Sequence, residues 1–302
     1  MTDRNGEERG GVVPEGDTVW RTATRLNQAL AGRRIVEADL RWPELSTKDL
    51  SGRTTLEVVS RGKHVLHRIE GGITLHSHLR MEGQWRIEAT PGLATRWRRS
   101  TQLRALVSAP DWTALGLRLG MLDLVPTDRE GDLVGHLGPD VLGPAWDPEV
   151  AVANLRASGG PVGSALLDQR NLAGVGTMWC AETLFLERVH PWTAVADLAA
   201  GVLEAVVARA HRLIDNGKNH AVQSSTGSYQ LGEAHYAHAR SGRPCRRCGT
   251  TVRVAMIGRA PQERTMFYCP GCQGGIGPTD DGRPQRPLGA EGRSSRGARP
   301  AR

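Results

Sequence analysis

The pairs Cys245-Arg246-Arg247-Cys248 and Cys269-Pro270-Gly271-Cys272, separated by twenty residues, constrain this chain more than any other feature. Cys-x2-Cys twice at that separation is the spacing of a four-thiolate tetrahedral zinc site, because each tight knuckle turns two sulfurs toward one ion. The intervening "VRVAMIGRAPQERTMFY" reads as two short strands and a turn that projects beyond the metal, a zinc ribbon. Four thiolates leave no open position for water, so the expected Zn2+ is a single structural ion. Two disulfides or free thiols are the alternative, of which disulfides would need an oxidising compartment. The fifth cysteine, Cys180, falls within a helical pattern and reads as a small buried hydrophobe.

At 302 residues the chain has room for two domains and a sizeable core. It has no apolar run long enough to span a membrane and no N-terminal signal-peptide pattern, so a soluble cytosolic protein is expected. The formal charge of +7 fits either a solvated basic surface or a polyanionic partner. The ribbon favours nucleic acid but names no chemistry.

Residues 1–13 are charged, Gly-rich and without periodicity, which reads as a disordered leader. Thr18 to Ala31 reads as a helix with Val19, Ala23, Leu26 and Leu30 on one face, Asp17 as its cap and Gly32 at its end. From Arg34 to about Pro126 the period is two. The runs "RIVEADLRW", "TLEVVSRG", "HVLHRIE", "ITLHSHL", "QWRIEA", "QLRALVSA" and "LGLRLGMLDLV" suggest the strands of a sandwich, with Gly71-Gly72 as a hairpin turn. After Gly135 four helical patterns follow. The first is "WDPEVAVANLRA", with Asp147 as N-cap and Pro148 at the first position. Then come "PVGSALLDQR", "GTMWCAETLFLERV" and "DLAAGVLEAVVARAHRLIDNG". Residues 218–240 are polar and irregular, and 274–302 read as a disordered basic tail.

Five motifs in order carry a resemblance. "PEGDTVW", "SRGKH" at 60–64, "HSHLRMEGQW" at 76–85, "LLDQRNLAGVGT" at 166–177 and "ERTMFYCPGCQ" at 263–273 resemble the formamidopyrimidine-DNA glycosylase and endonuclease VIII family. The resemblance runs from residue 14 to residue 273. It implies an α+β fold: an N-terminal β-sandwich with a leading helix (14–130), a helix-two-turn-helix domain (135–240) and a zinc ribbon (242–273). It also implies an enzyme of base excision repair, a DNA glycosylase and abasic-site lyase. The expected partner is double-stranded DNA with an oxidised base or abasic site, bound by a monomer without membrane association. The expected location is the bacterial cytoplasm and nucleoid.

Such an enzyme needs an amine that attacks C1′. The resulting iminium acidifies the C2′ hydrogen, and the strand breaks by β,δ-elimination. In the family the amine is that of an N-terminal proline, which falls on Pro14. As an internal residue, Pro14 has a tertiary amide nitrogen and no nucleophile. Val13 immediately precedes it, and GTG serves as a bacterial start codon. Translation from that codon and removal of the initiator Met would expose Pro14. The alternatives are proteolytic trimming, or a damaged-DNA or abasic-site binding protein without catalysis. A zinc-ribbon adaptor without damage preference is a third class, which the motifs disfavour.

The remaining expected site residues follow from the resemblance. Glu15 shuttles protons beside the amine. Lys63 binds a phosphate or the base side. Arg264 clamps phosphates from the ribbon turn, with Arg259 the second candidate. The loop Asn171 to Gly176 offers N–H groups of Gly174 and Gly176 to a phosphate at a helix N-terminus, next to Thr177. Met81, assisted by Arg80, fills the hole left by an extruded base.

Three departures qualify the pattern. Thr177 replaces the usual Asn, and Thr18 replaces a second Glu. "ALGLRLGMLD" replaces the Asp-Pro-Arg-Arg-Phe-Gly strand, which carries two further wedge residues of the formamidopyrimidine branch. Its loss favours oxidised pyrimidines as substrates, as in the endonuclease VIII branch.

Overall fold

Residues 14–287 are described by a computed structural model; the expectations for 1–13 and 288–302 lie outside the described residues. The first lobe holds helix α1 (Gly16–Leu30) and strands β1 (Glu37–Leu40), β2 (Thr55–Arg61), β3 (His64–Ile69), β4 (Ile73–His78) and β5 (Gln84–Ala89). Helix α2 (Thr95–Arg98) precedes β6 (Leu103–Ser108), β7 (Trp112–Leu117) and β8 (Met121–Pro126), and α3 (Glu130–Val134) follows. Two four-stranded antiparallel sheets, β1-β6-β7-β5 and β2-β3-β4-β8, form the expected sandwich. Alternation turns Val65, Ile69, Leu75, Ala105 and Val107 into the core, where they meet Val19, Leu26 and Leu30 of α1. Gly71 and Gly72, at φ of 90° and 68°, close the β3–β4 hairpin, a geometry that favours glycine at both positions.

The second lobe packs α4 (Pro148–Ser158), α5 (Val162–Leu167), α6 (Thr177–Leu186) and α7 (Val202–Gly217) around Leu155, Leu166, Trp179, Phe185, Val206 and Ile214. Asp147 caps α4 by accepting from the N–H groups of Glu149 and Val150, as its sequence suggests. The ribbon strands β9 (Arg253–Ile257) and β10 (Arg264–Tyr268) lead into α8 (Pro270–Gln273). Ile257, Met266 and Phe267 enter the same core as α6, so the ribbon is fixed to the helical lobe.

Four expectations need correction. Helix α1 begins at Gly16, and Asp17 does not cap it. Asp17 is instead buried and accepts from Gln223 Nε2 at 2.9 and 3.1 Å. "LGLRLGMLDLV" is not one strand: β7 ends at Leu117 and β8 begins at Met121, in opposite sheets. Arg118 between them adopts φ of 50°, which breaks the extended run. Residues 274–287 are not a free tail. Asp280 accepts from Tyr268 Oη and Arg253 Nε, both at 2.6 Å, and Gln285 pairs with the backbone of Val254 in both directions at 2.8 Å. The irregular stretch 218–240 is also anchored. Buried Glu182 accepts from the N–H groups of Tyr236, Ala237 and His238 at 2.9, 2.8 and 2.7 Å, and from the Ser225 hydroxyl.

Candidate active site between the two lobes

Glu15 enters α1 in extended conformation and docks, with Gly16, on the far lobe. Gly16 N–H donates to Gly174 O at 2.9 Å, and a Cβ on Gly16 would lie 3.0 Å from Gly174 Cα. That contact explains the glycine. Glu15 is buried, and its carboxylate accepts from the N–H groups of Gly176 (2.9 Å), Met178 (2.7 Å) and Trp179 (3.2 Å). It therefore caps α6 from a distant part of the chain. Burial pushes its carboxyl up to about 7; Lys63 and the Met178 and Trp179 N–H groups oppose that shift, and Asp17 adds to it. A carboxyl with that value exchanges protons near neutrality.

Lys63 lies in the tight β2–β3 turn after Gly62, whose φ is 58°. The turn is pinned to the helical lobe. Gly62 N–H donates to Asp140 Oδ2 at 2.8 Å, and Arg61 Nη2 donates to the carbonyls of Leu137 and Gly138 at 3.1 and 2.9 Å. The Lys63 ammonium is pushed below its ordinary value by burial, against the attraction of Glu15, and Arg264 pushes it further down. Glu15, Lys63 and Arg264 thus share one electrostatic neighbourhood, although they come from α1, a hairpin turn and the ribbon. Arg264 opens β10, exposed, opposite Ile257. Arg259 lines a separate groove of about 460 Å³ with Pro161, Asp168 and Trp192.

Met81 is 75 % exposed at the tip of the β4–β5 connection. The loop is held by Gly83 N–H to Leu79 O at 2.9 Å and by Arg80 N–H to His78 Nδ1 at 2.9 Å, with Arg80 at φ of 53°. An exposed thioether on a braced loop is suited to insertion into a base stack. In the replaced strand, Leu119 turns into the core at 3 % exposure, and Arg118 faces Glu82 at 3.6 Å. Neither Leu119 nor an aromatic ring is offered there as a second wedge.

The expected phosphate site at the α6 N-terminus requires correction. Gly176 N–H is taken by Glu15, and Gly174 N–H donates to Gln169 Oε1 at 3.0 Å. A Cβ on Gly176 would sit 2.5 Å from Glu15 Cδ, so this glycine makes room for the carboxylate. Thr177, half-buried at the first position of α6, is the part of this loop still open to a partner. Thr18 Oγ1 is buried without a hydrogen-bond partner among the described residues.

Local sequence patterns do not reveal Asp140 or Gln223, which hold the Gly62 backbone and the Asp17 carboxylate across the lobes from 78 and 206 residues away. Gln169 acts within its own loop, holding the Gly174 N–H at a separation of 5 residues. The alternating histidines of "HSH" were a usable signal, because period two places His76 and His78 on one sheet face.

The sulfurs of Cys245, Cys248, Cys269 and Cys272 lie within 4.8 Å of one another, a cluster that can hold a metal ion. The pairs Cys245–Cys272 and Cys248–Cys269 are 3.9 and 3.5 Å apart. Tetrahedral bonds of about 2.3 Å require sulfurs about 3.8 Å apart, so the donor set fits zinc. Cys180 is buried away from this cluster, as expected, and burial pushes its thiol well above its ordinary value.

Residues 13–116 match the formamidopyrimidine-DNA glycosylase N-terminal domain and residues 137–229 match the formamidopyrimidine-DNA glycosylase H2TH domain. A probable endonuclease 8 2 from Streptomyces coelicolor is 47% identical over 272 residues, covering 90% of this chain and 98% of that protein. The chain belongs to the formamidopyrimidine-DNA glycosylase and endonuclease VIII family. Its affinity is with the endonuclease VIII-like branch. A DNA-(apurinic or apyrimidinic site) lyase from Mycolicibacterium smegmatis is 40% identical over 262 residues, covering 86% of this chain and 99% of that protein. Among solved structures, the complex of the Lactococcus lactis formamidopyrimidine-DNA glycosylase with abasic-site DNA shares the fold. Its TM-score is 0.70 at 22% identity, with 86% of this chain and 99% of that one covered. Among its described residues, no helix is long and apolar enough to cross a membrane.

Proposed function

We propose that this DNA glycosylase and abasic-site lyase removes oxidised pyrimidines from duplex DNA through a Schiff base to Pro14. The observation that carries the reading is the Glu15 carboxyl. It is buried beside Pro14, caps α6, has a value of about 7 and lies in the field of Lys63. In this reading Pro14 is the mature N-terminus and its secondary amine attacks C1′, releasing the base. Glu15 delivers a proton to the sugar-ring oxygen as the ring opens. The iminium nitrogen then draws electrons from the C2′–H bond, and the 3′ phosphate leaves. Elimination on the 5′ side follows, leaving phosphates at both ends of a one-nucleotide gap.

Lys63 and Arg264 hold phosphates around the extruded nucleotide, and Thr177 adds a shorter contact than an amide would. Met81 and Arg80 support the gap in the stack. A structural Zn2+ on Cys245, Cys248, Cys269 and Cys272 would fix the ribbon and with it Arg264; the chemistry it supplies is folding of that hairpin. The enzyme acts as a monomer on DNA in the cytoplasm and nucleoid.

Pyrimidine preference is supported by the replaced strand, where Leu119 is buried. The test is single-turnover excision from matched duplexes containing thymine glycol or 8-oxoguanine opposite cytosine. Faster release of the oxidised pyrimidine is expected; faster release of 8-oxoguanine would overturn the preference.

A further inference from the structure

A chain of hydrogen bonds crosses the outer face of the β2-β3-β4-β8 sheet. His76 Nδ1 is 2.8 Å from Asp123 Oδ2, and His76 Nε2 is 2.8 Å from His64 Nδ1. Register places these residues together. His64 pairs with His78 across β3–β4, and His76 pairs with Asp123 across β4–β8, so all four side chains share one face. This face looks toward Leu137 and Ala173 of the other lobe, and its end carries Lys63. His76 is fully buried, His64 is half-buried, and the Asp123 side chain is 39% exposed.

With a carboxylate at one end, only one order of donors fits neutral rings. Asp123 accepts from His76 Nδ1–H, His76 Nε2 accepts from His64 Nδ1–H, and His64 Nε2 is left as a bare acceptor. His78 is fixed in the opposite sense, because its Nδ1 accepts from the Arg80 N–H, leaving its proton on Nε2. Its ring meets His64 edge-on at 4.8 Å.

The groups that act most strongly on His64 are cationic or able to become so: His78 and His76 on β4, His136 after α3 and Lys63 in the turn, with the Asp123 carboxylate one ring further along the chain. Arg80 stands beside His78. Burial first, then these neighbours, push His64 down to about 3. A neutral ring here limits repulsion in a cleft that already holds Lys63 and Arg264. A phosphodiester entering the cleft reverses that balance.

We propose that the Asp123–His76–His64 chain couples DNA docking to proton uptake: His64 takes one proton from solvent on Nε2 when a backbone phosphodiester seats beside Lys63, and keeps it there as a hydrogen bond donated to a phosphate oxygen. The inner hydrogen bonds need not reorganise. His64 Nδ1–H still donates to His76, and His76 still donates to Asp123, whose carboxylate balances the new charge. His64 is the contacting residue, and His76 and Asp123 are positioning residues. The inference rests on the reading that DNA occupies the cleft.

The test is calorimetric binding of a duplex with a tetrahydrofuran abasic analogue, in buffers of different ionisation enthalpy, from pH 5.5 to 8. The proton uptake of the native chain should exceed that of His64→Gln by close to one proton at some pH in this range. Its Kd should rise by up to tenfold per pH unit more steeply there. Asp123→Asn, which keeps a hydrogen-bond acceptor but loses the charge, should move that transition to lower pH. A purely structural role would shift affinity equally at every pH. Equal uptake by the native chain and His64→Gln would overturn the inference. If His64→Gln fails to fold, an unshifted transition in Asp123→Asn would overturn it. Failure of the native chain to bind the abasic duplex would overturn the DNA reading itself.

Discussion

The Glu15 carboxylate accepts the Met178 N–H at 2.7 Å, so the second residue of the PEGDT motif caps a helix 163 positions later in the chain. One side chain thereby joins the lobes and brings a protonatable group to the proposed nucleophile.

The first prediction concerns stability and pH. Glu15 is pushed from 4.5 to about 7 in the folded protein, chiefly by burial. A raised carboxyl means that the folded state binds more protons than the unfolded state between those values, so this group favours folding at low pH and costs stability as pH rises through that window. The loss approaches about 3 kcal/mol at full ionisation. Glu15→Gln should flatten that segment of the stability–pH curve, read by denaturant unfolding from pH 4.5 to 7.5. It should also lower excision about a hundredfold or more by removing the acid.

Gly176→Ala places a methyl 2.5 Å from Glu15 Cδ. The displaced carboxylate leaves α6 uncapped, which costs about 1–2 kcal/mol. Excision should fall with it, while binding to undamaged duplex, which depends on phosphate contacts, changes little. Thermal melting and single-turnover assays check both halves.

Met81→Ala removes the exposed thioether from a loop that stays braced by Arg80 and Gly83. Extrusion of a paired base should become harder by about 1–2 kcal/mol, a roughly five- to thirtyfold loss in base excision. Cleavage at a preformed abasic site, where no base must be extruded, should suffer less. Equal losses on both substrates would contradict the wedge role.

Metal removal should act through Arg264. Chelation of the Cys245, Cys248, Cys269 and Cys272 site should release zinc, lower the melting temperature and abolish ribbon-dependent DNA affinity. Arg264→Ala in the metallated protein should lower affinity for all duplexes alike and reduce the slope of log affinity against log salt by about one. Metal content, melting and a salt titration separate the two effects.

Much of this architecture was legible because it depends on local rules. The Cys-x2-Cys knuckles, the Gly71-Gly72 turn, the Asp147 cap and the face of α1 each follow from spacing within a few residues. Asp17 reads as a helix cap because a capping acid and a buried acid look alike until Gln223, 206 residues away, is in place. The Gly174 and Gly176 N–H groups read as a phosphate site because a Gly-rich helix start usually leaves them free. Here Gln169 and Glu15 already occupy them. The β7–β8 break is hidden in the sequence because Leu115, Leu117, Leu119 and Met121 keep an apolar period of two through the corner where Arg118 adopts a positive φ. Asp280 and its partners lie in a Gly/Pro-rich segment whose composition resembles a tail, although Arg253 and Tyr268 hold it in place.

The most direct measurement is borohydride trapping on an abasic-site oligonucleotide with two forms of the protein, one beginning at Pro14 and one retaining residues 1–13. Intact mass fixes each terminus. The account predicts a covalent DNA adduct with the Pro14 form alone, mapped to the Pro14 nitrogen by peptide sequencing. Equal trapping of both forms, with the adduct on Lys63, or binding of abasic DNA by the Pro14 form without any adduct, would contradict it.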